Sequence, residues 1–153
     1  MDEQKLTFLT DKFIPLLKNL PPSAIGKWGK MNGQQMVEHV AGFFKVSTGK
    51  IHFPLVTPVE HLPKYKEFLL SEKEFRENTK APVLPEEPMP LRFATMQEAV
   101  DDLEKEVKEF VKKFSSAEII TAQHPVFGDL NFEEWVLLHY KHVLHHAKQF
   151  GLM

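Results

Sequence analysis

Residues 131–151 read NFEEWVLLHYKHVLHHAKQFG. Asn131 is a preferred N-cap type and Gly151 a natural stop, so the spacing predicts one helix from about Asn131 to Phe150. On a wheel with 100° per residue, Trp135, His139, His146 and Gln149 fall within about 60° of His142. Spacings of four, three, four and three mark an inward stripe, the place where a packed helix normally carries Leu and Ile. Here the stripe carries imidazoles and an amide. A buried polar group without a partner costs roughly 1–3 kcal/mol, and neighbouring buried imidazoles compound that cost. A divalent metal ion removes it, because it takes neutral imidazole nitrogens as ligands at roughly 2.0–2.1 Å.

His142 and His146 stand at i, i+4, which sets both rings over one helical turn and aims them at a common point, as in HExxH metalloproteases. Val143 occupies the position where that motif has its Glu, so the metalloprotease base is missing. Two imidazoles need a third ligand from another helix. His39 is the candidate, since it lies on the inward stripe of a well-marked helix. Three protein ligands leave coordination positions open for water or substrate, the catalytic rather than the structural pattern. The plainer alternative is that eight His produce an i, i+4 pair by chance and that these rings are hydrogen-bonded core residues without a metal.

Three further segments carry a helical apolar period. The first spans about Asp2–Lys18, with Leu6, Leu9, Phe13, Leu16 and Leu17 on one face; Pro15 is expected to kink or shorten it and Pro21-Pro22 to end it. The second spans about Asn32–Thr48, opened by a capping-box pair, Asn32 and Gln35. Its inward stripe is Met36, His39, Val40, Phe43 and Ser47. The third spans about Thr95–Phe114, where Met96, Ala99, Leu103, Val107, Phe110 and Phe114 form the seam of a shallow antiparallel packing. Between the second and third lie about 45 residues with seven of the eleven prolines. A short helix is expected there near Lys64–Asn78, and irregular chain over 81–90. The expected fold is therefore all-α: a single-domain four-helix bundle over 1–153 with a Pro-rich crossover between helices 2 and 3.

Composition narrows the function classes. The 153 residues are 42% apolar and 26% charged, with a formal net charge of −2, so neither nucleic acid nor an anionic membrane is expected as a partner. Cys is absent, which excludes disulfides, thiolate metal sites and a cysteine nucleophile. The charged N-terminus lacks a signal-peptide apolar region, and no apolar run reaches the roughly 18 residues of a membrane span. The expectation is a cytoplasmic protein acting on a small-molecule substrate.

The segments HisProValPheGly (124–128), Trp135, HisValLeuHisHisAlaLysGlnPheGly (142–151), TrpGlyLysMetAsn (28–32) and the GlnMetValGluHis run ending at His39 together resemble the DinB/YfiT-like superfamily of metal-dependent bundle proteins, in a branch described as a domain of unknown function. The resemblance spans nearly the whole chain. It implies up-down-down-up connectivity and a three-histidine site, His39, His142 and His146, holding one divalent ion such as zinc or nickel. It also implies a metal-dependent hydrolase or thiol-dependent transferase; the alternative is a non-catalytic bundle protein binding a small ligand or metal.

Other residues have two readings each. His139 is an alternative ligand or proton-transfer group, or a polar residue at a bundle end. His145 flanks the site and orients substrate or moves a proton, or is simply part-solvated. Gln149 hydrogen-bonds a ligand, or closes a helix end. His124 rims the site from a loop, or shapes a turn. Trp28 and Trp135 line the site, or anchor the core. Glu38 points about 100° from His39 and is not expected to serve as a base. Leu137, Tyr140 and Leu144, among Lys141 and Lys148, suggest a homodimer face unless the Pro-rich insert covers them.

Overall fold

The computed structural model describes residues 1–116, 118 and 120–153. Helix α1 (Glu3–Thr7) opens with Asp2, whose carboxylate accepts the Lys5 N–H at 3.1 Å. It runs into a π-helical turn over Phe8–Lys12 and then α2 (Phe13–Leu16). The Phe13 N–H reaches back to the Phe8 carbonyl rather than one turn back. The wide turn lies just before Pro15, whose ring would press on the carbonyl of Asp11 in a regular helix. The widening keeps Leu9, Phe13 and Leu17 buried on one side.

Helix α3 (Gly33–Ser47) starts at the expected capping box. Asn32 accepts the Gln35 N–H at 2.8 Å, and Gln35 accepts the Asn32 N–H at 2.8 Å. Chain 48–58 leads through a 3₁₀ turn (Val59–His61) into α4 (Leu62–Leu70). Helix α4 is shorter than expected because Ser71 is extended and its hydroxyl binds the Phe68 carbonyl at 2.7 Å, ending the helix with a side chain. Helix α5 (Met96–Phe114) is capped by Thr95, which accepts the Glu98 N–H at 3.2 Å. It packs along α3, burying Ala99, Leu103, Val107, Phe110 and Phe114. Lys45–Asp102 (3.4 Å) bridges the same two helices, and Lys50–Glu106 (2.7 Å) ties the chain just after α3 to α5. A hairpin follows, with β1 (Ala122–His124) antiparallel to β2 (Gly128–Leu130) and His124 opposite Gly128. Helix α6 (Phe132–Gln149) begins with a second capping box, Asn131 with Glu134, and stops before Gly151, which has φ +68°.

The all-α four-helix bundle is overturned. Three long helices, α3, α5 and α6, are joined by a broken N-terminal helix, the shorter α4 and a two-stranded sheet. Three local causes account for the departure: Pro15 disrupts the first helix, the Pro-rich insert contributes a helix and extended chain, and Pro125 with Gly128 (φ +82°) turns the segment before α6 into a hairpin. That hairpin sits on the insert, with the Val56 N–H donating to the Pro125 carbonyl and the Thr57 hydroxyl to the Val126 carbonyl.

Helix α6 is the centre of the molecule and is buried almost all round. The face read as a dimer surface is partly engaged within the chain, with Leu137, Tyr140 and Leu144 half-buried. Phe8 packs edge-on against Tyr140 (5.4 Å), and the Lys141 ammonium lies over Phe68 and donates to the carbonyls of Ser71 and Lys73. Tyr140 thus meets the π-helical turn, and Lys141 meets α4 and the insert. Among the described residues, no helix is long and apolar enough to cross a membrane.

Candidate metal centre

Helix α3 presents His39, and α6 presents His142 and His146 on successive turns. Their Nε2 atoms converge, His142 to His39 at 2.9 Å and His142 to His146 at 3.0 Å. The three residues form a group with one nitrogen each inside a 4.8 Å span. His142 and His146 are buried and His39 is partly exposed, so the cluster lies near the surface on the α3 side. Phe43 forms a wall, its ring 4.1 Å from that of His142 and 5.4 Å from that of His39.

Hydrogen bonding alone satisfies this arrangement poorly. The His142 Nε2 has either one in-plane proton or one lone pair, yet it faces two imidazole nitrogens at hydrogen-bonding distance. One proton, or one lone pair, shared between both contacts leaves each of them weaker than a full hydrogen bond. The other nitrogen of the same ring, Nδ1, is buried and has no partner among the described residues. Three nitrogens all within 4.8 Å of one another, two of the pairs about 3 Å apart, suit a shared ion with bonds of roughly 2.0–2.1 Å. The donor set therefore fits a divalent metal, with His39, His142 and His146 as its ligands.

The electrostatics agree. Burial pushes the His39 imidazole down to about 4, helped by the nearby His145. Burial also holds His142 and His146 well below the ordinary histidine value, with the neighbouring rings of the cluster adding to the effect. All three are neutral near pH 7, the form that ligates.

Gln149 is part of the site. Its Oε1 accepts from His146 Nδ1 at 2.6 Å, and its Nε2 donates to the Trp28 carbonyl at 2.8 Å. His145 packs its ring against His146 at 5.1 Å and opens onto a cavity of about 330 Å³ lined also by Trp28, Phe75, Glu74, Lys27 and Lys148. Burial lowers the His145 pKa, opposed by its hydrogen bond to the Phe75 backbone and by Glu77 and Glu74.

The remaining candidates are placed elsewhere. His139 is fully buried, stacked on Phe44 at 3.8 Å, with its Nε2 2.8 Å from the Ser47 hydroxyl. Ser47 donates its own proton to the Phe44 carbonyl, so His139 is the donor in this pair. His124 Nδ1 accepts two backbone N–H groups, from Val126 at 3.0 Å and Phe127 at 3.2 Å, and shapes the hairpin turn. Phe43 lies between His124 and the cluster, its ring packing against those of His124 and His142. Trp135 is fully buried and donates to the Ala122 carbonyl at 3.0 Å, holding the hairpin to α6. Glu38 faces away from the cluster and accepts the Arg92 N–H. Sequence reasoning missed the glycines of the 26–29 loop, which make room for Gln149; the signal was their placement on either side of Trp28.

The model of a family described as "protein of unknown function (DUF1569)" matches residues 4–153. The chain belongs to this family. No curated protein and no solved structure matches it. The family description supplies no reaction, and it carries no assignment to the DinB/YfiT-like proteins. In this family member the chemistry must be read from the cluster itself.

Proposed function

We propose that this chain is a metal-dependent enzyme acting on a small molecule, a hydrolase or a thiol-dependent transferase, with one divalent ion, zinc or nickel, held by His39, His142 and His146. The observation that carries the reading is the convergence of three neutral imidazole nitrogens, with the His142 Nε2 shared between two of them rather than paired with one. The sequence resemblance to DinB/YfiT-like proteins supports the reaction classes. A divalent ion supplies a Lewis acid at such a site. The chain's own residues do the rest: Gln149 orients His146, Phe43 walls the ligands, and the cavity beside His145 receives the substrate. Proton transfer falls to His145, a reading supported by its position on the cavity wall against His146.

The test is metal content per chain in protein purified without a tag or nickel column, for the wild type and His142→Ala. Near-stoichiometric metal in the wild type, lost in the variant, is expected. Little metal in both, with no uptake of added zinc or nickel, would sink the proposal. Full metal with no turnover of esters, amides or thiol conjugates would favour a non-catalytic binding protein.

A further inference from the structure

We propose that the Gly26–Gly29 loop, acting through the Trp28 carbonyl and Gln149, selects the tautomer of His146, placing its proton on Nδ1 and leaving Nε2 bare toward His39 and His142. The consequence for metal binding rests on the reading above, but the tautomer belongs to the metal-free chain.

The Gln149 side chain is buried, and its two ends meet unlike partners. The Trp28 carbonyl can only accept, so the amide nitrogen must face it (2.8 Å). The amide oxygen then faces His146 Nδ1 (2.6 Å) and can only accept in turn. A neutral imidazole has one proton, so a proton on Nδ1 leaves Nε2 as a lone pair. With the amide turned over, its oxygen would oppose the Trp28 carbonyl and its NH₂ would donate to Nδ1. The His146 proton would then sit on Nε2, 3.0 Å from His142 Nε2, and block ligation there.

The loop holds this one orientation. The Lys27 N–H donates to the Gln149 main-chain carbonyl at 2.7 Å, so main chain and side chain are both gripped. Gly29 is left-handed (φ +78°), and a Cβ there would stand 2.8 Å from Gln149 Nε2. At Gly26 a Cβ would stand 2.9 Å from both Gln149 Cγ and the Trp28 carbonyl oxygen. A chain segment more than a hundred residues away thus determines which nitrogen of a C-terminal imidazole is free. This ligand orientation is set by neighbours of the site, as in metal sites generally.

The experiment reads histidine ring ¹H–¹⁵N correlations in metal-free protein at pH 7.5, with His146→Ala to assign the signal. Wild type is expected to show His146 protonated on Nδ1. Gln149→Leu is expected to lose that tautomer, and Gly29→Ala to shift it partly toward Nε2–H. Gln149→Glu restores an acceptor and keeps it, and Trp28→Phe, which retains the carbonyl, leaves it unchanged. Zinc affinity, measured by competition with a chromophoric chelator, falls roughly 10–100-fold in Gln149→Leu. An Nε2–H tautomer in the wild type, or an unmoved Nδ1–H in Gln149→Leu, overturns the proposal. Were Gln149→Leu not to fold, an unmoved tautomer in Gly29→Ala would overturn it. A tautomer that moves as expected in a protein that never binds zinc upholds this proposal and removes the metal reading instead.

Discussion

Glu38, the residue before His39, accepts the backbone N–H of Arg92 at 2.6 Å and binds the Gln34 amide at 3.2 Å. The Arg92 guanidinium returns to the Glu38 carbonyl at 3.0 Å. The far end of the Pro-rich insert is thereby fastened to the helical turn that carries His39. Glu38→Ala leaves the Arg92 N–H without its acceptor. The expected cost is about 1–3 kcal/mol in urea denaturation, with zinc affinity reduced as the turn loosens. Unchanged stability would show that the insert holds its place by other contacts.

Metal binding predicts a linked gain in stability, because an ion bound only by the native state shifts the folding equilibrium. Zinc at about 100 times its Kd adds about 2.7 kcal/mol, or roughly 5–10 °C in Tm for a chain of this size. A chelator reverses the gain. His39→Ala, His142→Ala and His146→Ala should each abolish most of it, and pairs of these substitutions should add little more. Independent, additive losses in a melting experiment would point to three ordinary core residues.

The metal-free protein should lose stability in acid. His124 and His39 have folded-state pKa values of about 4, both lowered chiefly by burial, against about 6.5 unfolded. The unfolded chain therefore binds more protons between these values. The contribution is complete above pH 6.5 and declines as pH falls toward 4. For His124 alone the change is about 2–3 kcal/mol across that window. His124→Asn keeps an acceptor for the turn N–H groups but does not titrate, and should flatten the slope of urea midpoint against pH. An unaltered slope would exclude His124 as a source.

Lys141→Met should separate cover from chemistry. The Lys141 ammonium donates to the carbonyls of Ser71 and Lys73, just before Phe75 on the cavity wall. Removing it leaves two carbonyls without their donor and is expected to speed amide hydrogen exchange over residues 71–77, with metal content unchanged. Loss of metal in this variant would mean that the insert supports the ligands as well as the cavity.

His145→Gln tests the proton-transfer role. The expected result is full metal content and a 10²–10⁴-fold fall in kcat on whichever ester, amide or thiol conjugate the wild type turns over. Wild-type turnover in the variant would leave the step to solvent.

Much of the site could be read along one helix because helical geometry is local. The i, i+4 spacing put His142 and His146 over one point, and the Asn32 and Asn131 caps marked where α3 and α6 begin; each depends on residues within a turn or two. The hairpin was harder, since three-residue strands carry too little alternation to register, although Pro125 and Gly128 were its signal. Nothing local showed that Tyr140, in the apolar row with Leu137 and Leu144, meets Phe8 from the far end of the chain.

By itself the sequence determined which faces carry imidazole, because a 3.6-residue repeat fixes the angle between neighbours on one helix. The inward stripe of the second helix already pointed to His39 as the third member, but only the tertiary structure brought it to that pair, turned His139 to Ser47 and set the carbonyl of the 26–29 loop against Gln149. Those contacts join segments tens to more than a hundred residues apart. They exist because α6 can bury all of its sides only when α1, α3, α4 and the insert close around it, and no local pattern encodes which group each of those neighbours brings.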